Sequence, residues 1–209
     1  RDLIARNLAE VEGMSLTALR SGTNWDFESF DEYLALLRRK GVTPNVAAFI
    51  GHSAVRTMVM GPEASERAAR EDEVAEMRDL VRGGIDAGAI GFSTSTSINH
   101  YGDGGVPMPS RLAEESEMRS LVGVLGEKGR GVFQLTVGPS MTSEVMESLA
   151  HDNNCPVFQT AALYNEAFPE RAPQMVSDSA AAQARGNQLW AQVSCQSLSM
   201  DFALTAAFP

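Results

Sequence analysis

The sequence is poor in the residues that mark several common classes of protein. Its 209 residues include two cysteines, and neither has a Cys or His at metal-ligand spacing, so no disulfide framework or zinc knuckle is indicated. No apolar run approaches the roughly 20 residues needed to cross a bilayer, and no basic-then-apolar leader opens the chain. We therefore expect reduced thiols, a cytoplasmic location and no membrane partner.

Positive charge is also scarce. The chain has 17 basic against 27 acidic residues, a net charge of −10, which argues against nucleic-acid binding and favours a small-molecule or protein partner. The glycine-rich segment Gly102–Gly105 lacks the Lys and the following helix of a phosphate-binding loop. Histidine is limited to His52, His100 and His151, so few candidates exist for metal or proton chemistry.

What the sequence does contain is a repeated α/β pattern. Short apolar runs alternate with amphipathic helical segments, among them Glu71–Ala87, and no hairpin signal separates them, so a parallel sheet is predicted. The predicted strands are Asn45–Gly51, Ala89–Ser95, Gly131–Val137, Pro156–Leu163 and Leu189–Cys195. Five such units are too few to close a (β/α)8 barrel. Either the sheet is open and doubly wound, or the chain, which begins with Arg1 rather than Met, is the middle of a barrel.

The candidate site lies where the second strand ends. Hydroxyl residues occupy Ser93–Ser97, and a loop with His100 and Arg111 follows; the carboxyl edge of a parallel sheet is where α/β enzymes place their sites. Arg111 is suited to pairing with a substrate carboxylate, although a salt bridge that anchors the loop is the common alternative. His52, at the end of the first strand, either orients a ligand or is a hydrogen-bonded structural residue.

Three segments carry a family resemblance. They are Trp25–Leu34 (WDFESFDEYL), Asn45–Gly61, which contains NVAAFIGHSAVR and ends in VMG, and Gly88–Thr94 (GAIGFST). In order and spacing they resemble the N-acyl-D-amino-acid deacylases, the D-aminoacylase branch of the amidohydrolase superfamily. The resemblance implies a metal-dependent TIM-type (β/α)8 barrel of which this chain holds about strands three to seven.

On this template residues 1–209 form the central part of the barrel domain, with both ends truncated. The implied activity is hydrolysis of a non-peptide carbon–nitrogen bond in an N-acyl amino acid or related amide. The implied cofactor is zinc, with its ligands mostly outside this chain. We expect residues 1–209 alone to be inactive, because the barrel is open and its strand edges are exposed.

The chain departs from the family at the strands that normally carry zinc histidines. The fifth-strand segment reads Val132–Val137, with Gln134 and Leu135 in its middle, and the sixth-strand Ser-His is replaced by Thr160-Ala161. These departures indicate a divergent subgroup, and no catalytic residue or metal ligand is assigned within the chain. A barrel without catalysis, serving as a small-molecule or partner-binding subunit, is the alternative. The residues predicted to bind substrate are His52, Ser93, Thr94, Ser95, His100 and Arg111.

Overall fold

The computed structural model of the protein describes residues 1–196. The helices are α1 Asp2–Glu12, α2 Leu16–Gly22, α3 Phe30–Lys40, α4 His52–Met60, α5 Glu71–Ala87, α6 Glu115–Lys128, α7 Ser143–Asn153 and α8 Arg171–Ala184. The strands are β1 Phe49–Gly51, β2 Gly91–Ser95, β3 Val132–Thr136, β4 Val157–Thr160 and β5 Leu189–Gln192. In this part of the chain, no helix is both long and apolar enough to cross a membrane.

The sheet decides between the two architectures left open by the sequence. Its five strands are all parallel and lie in the order β1-β2-β3-β4-β5. A doubly wound sheet reverses its strand order at a switch point, whereas the wall of a (β/α)8 barrel keeps the order of the sequence. The structure therefore confirms the predicted α/β class and the partial barrel. The last residues of the predicted domain, 197–209, lie outside the described part.

The hydrophobic core lies between the sheet and its helices. Every second strand residue points toward the helix layer, where Phe92, Phe133 and Leu135 are fully buried. The rings of Phe92 and Phe133 stack with their centroids 5.9 Å apart. From α5 and α6, Ile85 and Leu121 complete this layer with no exposed surface. The alternate strand residues face away from the helices, and we call this side of the sheet the inner face.

All five predicted strands are present but are shorter than predicted, β1 by four residues at its start and β4 and β5 by three residues at their ends, and two helices also differ from expectation. Helix α5 has the predicted bounds, and Glu73 accepts a hydrogen bond of 2.8 Å from the amide of Arg70 at its start. The Ala-rich run Ser179–Arg185 predicts a helix, and helix α8 begins earlier than this run, at Arg171. Helix α4 follows β1 without any loop and was not predicted, because Gly51 stands at the N-cap position without a side chain to signal a helix start.

Candidate functional site

The pleat of β2 divides the predicted substrate-binding residues into two groups. Ser93 and Ser95 lie on the inner face and are partly exposed, whereas Thr94 points into the helix layer and is 9% exposed. His52, the first residue of α4, lies with Thr94 behind the sheet. His100 and Arg111 lie in the loop that follows β2, where His100 contacts Ser95 and Arg111 contacts His100.

The group behind the sheet is a buried polar cluster of His52, Arg56, Thr94 and Glu117. Nδ1 of His52 is 2.8 Å from Oγ1 of Thr94, and its Nε2 is 2.8 Å from Oε1 of Glu117. Arg56 donates to Oε2 of Glu117 and, over 2.8 Å, to the carbonyl oxygen of Arg67. His52 and Arg56 are 1% and 0% exposed. The cluster thus ties α4, α6 and β2 together at the carboxyl end of the sheet.

Charge in this cluster is held by Arg56 and Glu117. Burial lowers the pKa of His52 and outweighs the opposing attraction of Glu117. Burial alone would raise the pKa of Glu117, but the hydrogen bonds from His52 and Arg56 and the positive charge of Arg56 hold this pKa below its usual value. A neutral His52 satisfies both of its contacts when Nε2 donates to the carboxylate and Nδ1 accepts from the Thr94 hydroxyl.

We expect the free energy of unfolding to decrease as the pH is lowered below neutrality. Because the pKa of folded His52 lies below the ordinary value of about 6.5, the unfolded chain binds more protons once the pH falls below that value. Burial lowers the pKa of His100 as well, so its contribution has the same sign. We expect urea titrations at pH 8, 6.5 and 5.5 to give a decreasing free energy of unfolding, by at most about 1.4 kcal/mol per pH unit for each histidine. Equal stability at pH 8 and 5.5 would contradict this prediction.

The group on the inner face consists of Ser95, His100 and Arg111. Oγ of Ser95 is 2.7 Å from Nδ1 of His100, and Arg111 donates over 3.1 Å to the carbonyl oxygen of His100. The guanidinium of Arg111 also lies 5.1 Å from the centre of the Tyr101 ring. Arg111 has no carboxylate partner among residues 1–196, so the anchoring salt bridge considered from the sequence is not found there. Within the described residues, its remaining N–H donors have no acceptor and could bind an anion.

The loop that carries this group is held at both sides. Ser110 is 1% exposed, and its hydroxyl donates over 2.8 Å to the carbonyl oxygen of Ser95 while accepting from Ser53 over 3.0 Å. Toward the start of the chain, Oδ1 of Asn7 accepts from the amide of Asp103 over 2.9 Å, and Arg6 forms a 2.6 Å ion pair with the Asp103 carboxylate. The loop is therefore positioned before any ligand binds.

Sequence reasoning missed Glu117. Its burial was visible in the helical spacing, because Glu117, Leu121 and Val124 follow one another at intervals of four and three on the core side of α6. It also missed a group on the inner face that we call the amide triad, formed by Gln134, Thr160 and Gln192. Nε2 of Gln134 donates to Oγ1 of Thr160 and to Oε1 of Gln192, each over 3.2 Å.

The described residues do not fit a metal centre. Between residues 1 and 196, no three His, Cys, Asp or Glu side chains lie close enough together to hold a metal ion. The inner face of β3, β4 and β5 instead carries the amide triad, and amides and hydroxyls are not the nitrogen, sulfur and carboxylate ligands of zinc sites. This part of the chain is suited to binding and orienting a ligand by hydrogen bonds.

Comparison with known proteins identifies the relatives of this sheet and loop. A D-aminoacylase from Alcaligenes xylosoxydans xylosoxydans is 43% identical over 79 residues, which cover 38% of this chain and 16% of that protein. An N-acyl-D-glutamate deacylase from the same organism is 31% identical over 103 residues, covering 49% of this chain and 19% of that protein. The chain is related to the N-acyl-D-amino-acid deacylases. No protein-family model matches it.

The structural comparison extends the deacylase relationship over more of the chain. A solved D-aminoacylase, studied for the role of its binuclear metal centre, superposes with a TM-score of 0.64 at 25% identity and covers 78% of this chain. The aligned part is 33% of that D-aminoacylase. The chain thus spans less than a fifth of the two deacylase sequences and a third of the solved structure. The resemblance seen in the sequence and the partial-barrel fold are both confirmed.

Proposed function

We propose that the whole protein containing this chain hydrolyses the amide bond of N-acyl amino acids, as its deacylase relatives do. The 43% identity to a D-aminoacylase is the observation that carries the proposal. In this proposal residues 1–209 form the central part of the barrel domain. The comparisons lend no support to the alternative of a barrel without catalysis.

Within this proposal the chain supplies part of the substrate-binding wall. Arg111 would bind the substrate carboxylate by charge-assisted hydrogen bonds, because its guanidinium has no carboxylate partner within the described residues. Ser93 and Ser95 would offer hydroxyls from the inner face, with His100 held against Ser95 over 2.7 Å. Substrate contact by His52 and Thr94 stays a prediction, since their contacts in the structure are with each other and with Glu117.

Zinc belongs to the proposal for the whole protein. When bound, zinc supplies a Lewis acid and an activated water for amide hydrolysis. Residues 1–196 do not offer a ligand set for it, so we assign them no step that passes through the metal. Their proposed work is to bind the substrate and to orient its amide.

Amine release by the whole protein tests the proposal. N-acetyl-D- and N-acetyl-L-amino acids are incubated with zinc-loaded protein and with protein treated with a chelator. We expect hydrolysis of the D-series, loss of activity on chelation and recovery on addition of zinc. Bound zinc without hydrolysis of any N-acyl amino acid, or activity indifferent to chelation, would contradict the proposal.

Removing the guanidinium of Arg111 should weaken substrate binding. We expect Arg111→Ala in the whole protein to raise KM for an N-acyl amino acid by about 10- to 100-fold, because a charge-assisted hydrogen bond contributes about 1.5–3 kcal/mol. Arg119→Ala, which removes an Arg paired with Glu115 on the outer side of α6, is the matched control. Steady-state kinetics with both variants measure the difference, and equal KM values would rule out this role for Arg111.

A further inference from the structure

The amide triad joins side chains of three successive strands, β3, β4 and β5, on the inner face. Besides the two bonds donated by Gln134, the hydroxyl of Thr160 donates to Oε1 of Gln192 over 3.3 Å. In the register of the sheet, Thr160 is the direct partner of Gln192, while Gln134 lies one layer lower, beside Phe158. Three side chains from separate strands are therefore fixed relative to one another before any ligand is present.

These contacts leave one acceptor and one donor of the triad unused. Within residues 1–196, neither Oε1 of Gln134 nor Nε2 of Gln192 has a hydrogen-bond partner. Oε1 of Gln134 is an acceptor, and Nε2 of Gln192 carries two N–H donors. The acceptor lies on β3 and the donor on β5, on either side of β4, and together they are complementary in kind to the N–H and the C=O of a secondary amide.

The surroundings of the triad favour an uncharged polar group. From β2 to β5 the inner face carries no ionisable side chain among its strand residues, which are Gly91, Ser93, Ser95, Val132, Gln134, Thr136, Phe158, Thr160, Trp190 and Gln192. The rings of Phe158 and Trp190 stack beside the triad, with their centroids 6.2 Å apart, and Trp190 is 43% exposed. Such a surface accepts the methyl or alkyl part of an acyl group.

We propose that the amide triad binds the acyl-amide group of the substrate, with Oε1 of Gln134 accepting its N–H and Nε2 of Gln192 donating to its C=O. Thr160 holds the two carboxamides in place. The identity of this ligand as an N-acyl amino acid rests on the proposed function, whereas the preference for an amide follows from the triad itself. On the family resemblance, Gln134 and Thr160 lie on the two strands that carry zinc histidines in the family.

The test compares two probes that differ only in the N–H. These are N-acetyl-D-alanine and its ester analogue, O-acetyl-D-lactate, in which oxygen replaces the N–H. A site that accepts the N–H leaves Oε1 of Gln134 unpaired with the ester, so we expect the whole protein to bind the amide roughly 10-fold or more tightly. Affinity is read as KM where the probe is turned over and as Kd from isothermal titration where it is not.

Substitutions in the triad test whether the preference for the amide over the ester depends on these residues. Gln134→Leu should reduce the ratio of ester to amide dissociation constants to about 1, because no acceptor remains for the N–H. Thr160→Ser should keep the ratio and Thr160→Val should reduce it, since only Ser retains the hydroxyl. Gln174→Leu, on the outer helix α8, is the control for the same change away from the inner face.

The outcomes separate this inference from the proposed function. Equal affinity of the wild-type protein for the two probes, or an unchanged ratio in Gln134→Leu, would overturn the role of the triad even if amides are hydrolysed. A preference for the amide that disappears in Gln134→Leu, in a protein that hydrolyses neither probe, would support the triad and contradict the deacylase function.

Discussion

Glu117→Gln is expected to lower the free energy of unfolding by about 3–5 kcal/mol, the usual cost of breaking a buried ion pair from one side. Arg56 is 0% exposed, and the Glu117 carboxylate is its only acidic partner among the described residues. The amide of Gln does not compensate a guanidinium that has lost its hydration. Urea denaturation of the variant and the parent at pH 8 measures the difference.

Two further variants make the prediction specific. Glu115→Gln lies on the same helix, two residues away, and removes a carboxylate that is 54% exposed and paired with Arg119; we expect it to cost less than about 1 kcal/mol. The double variant Arg56→Met, Glu117→Leu removes both charges, so it should lower the free energy of unfolding less than Glu117→Gln alone does. Equal losses for Glu115→Gln and Glu117→Gln would show that the buried pair does not contribute as proposed.

Gly91→Ala is expected to lower the free energy of unfolding by about 3 kcal/mol, the second-largest effect predicted here after Glu117→Gln. This value is at the upper end of the range for overpacking. A Cβ atom at Gly91 would lie 1.9 Å from the carbonyl oxygen of Val132 on the neighbouring strand. Because that obstacle is main chain, it cannot rotate away as a side chain can. Strands β2 and β3 must separate, and the five-residue register between them is weakened.

Gly83→Ala is the matched control for this change. Gly83 lies in α5, and a Cβ atom there would have no neighbour within 4 Å. Replacing Gly by Ala inside a helix is expected to stabilise by about 0.5–1 kcal/mol, since Ala loses less backbone entropy on folding. The two variants should therefore shift the urea midpoint in opposite directions. A shift in the same direction and of similar size would contradict the steric argument.

The strands and helices of the barrel wall could be predicted because each leaves a local signal. The stripe of Val74, Met77 and Val81 marks α5, and short apolar runs mark the strands. The ends of the strands could not be predicted from the sequence, because a strand continues only as far as the neighbouring strand offers it backbone hydrogen bonds. Leu189–Gln192, for example, stops short of the predicted Cys195 since β4 stops at Thr160.

The candidate site could be predicted only in part. Ser95, His100 and Arg111 are close in the sequence, so their loop could be proposed as one group. Gln134, Thr160 and Gln192 are brought together by the register of three strands, although the two glutamines are 58 positions apart in the sequence. His52 was predicted as a site residue because it follows a strand; helix α4 begins there and places its side chain in the core, and its contact with substrate stays a prediction.

The contact between α1 and the β2–α6 loop connects the start of the chain to the proposed substrate-binding residues. Asn7 is 5% exposed and holds the amide of Asp103, which is 96 residues away in the chain. We therefore expect a substitution at Asn7 to shift the loop that presents His100 and Arg111 without changing any residue of the inner face. In the proposed function, a mutagenesis library confined to the inner face would miss such residues of the first helix.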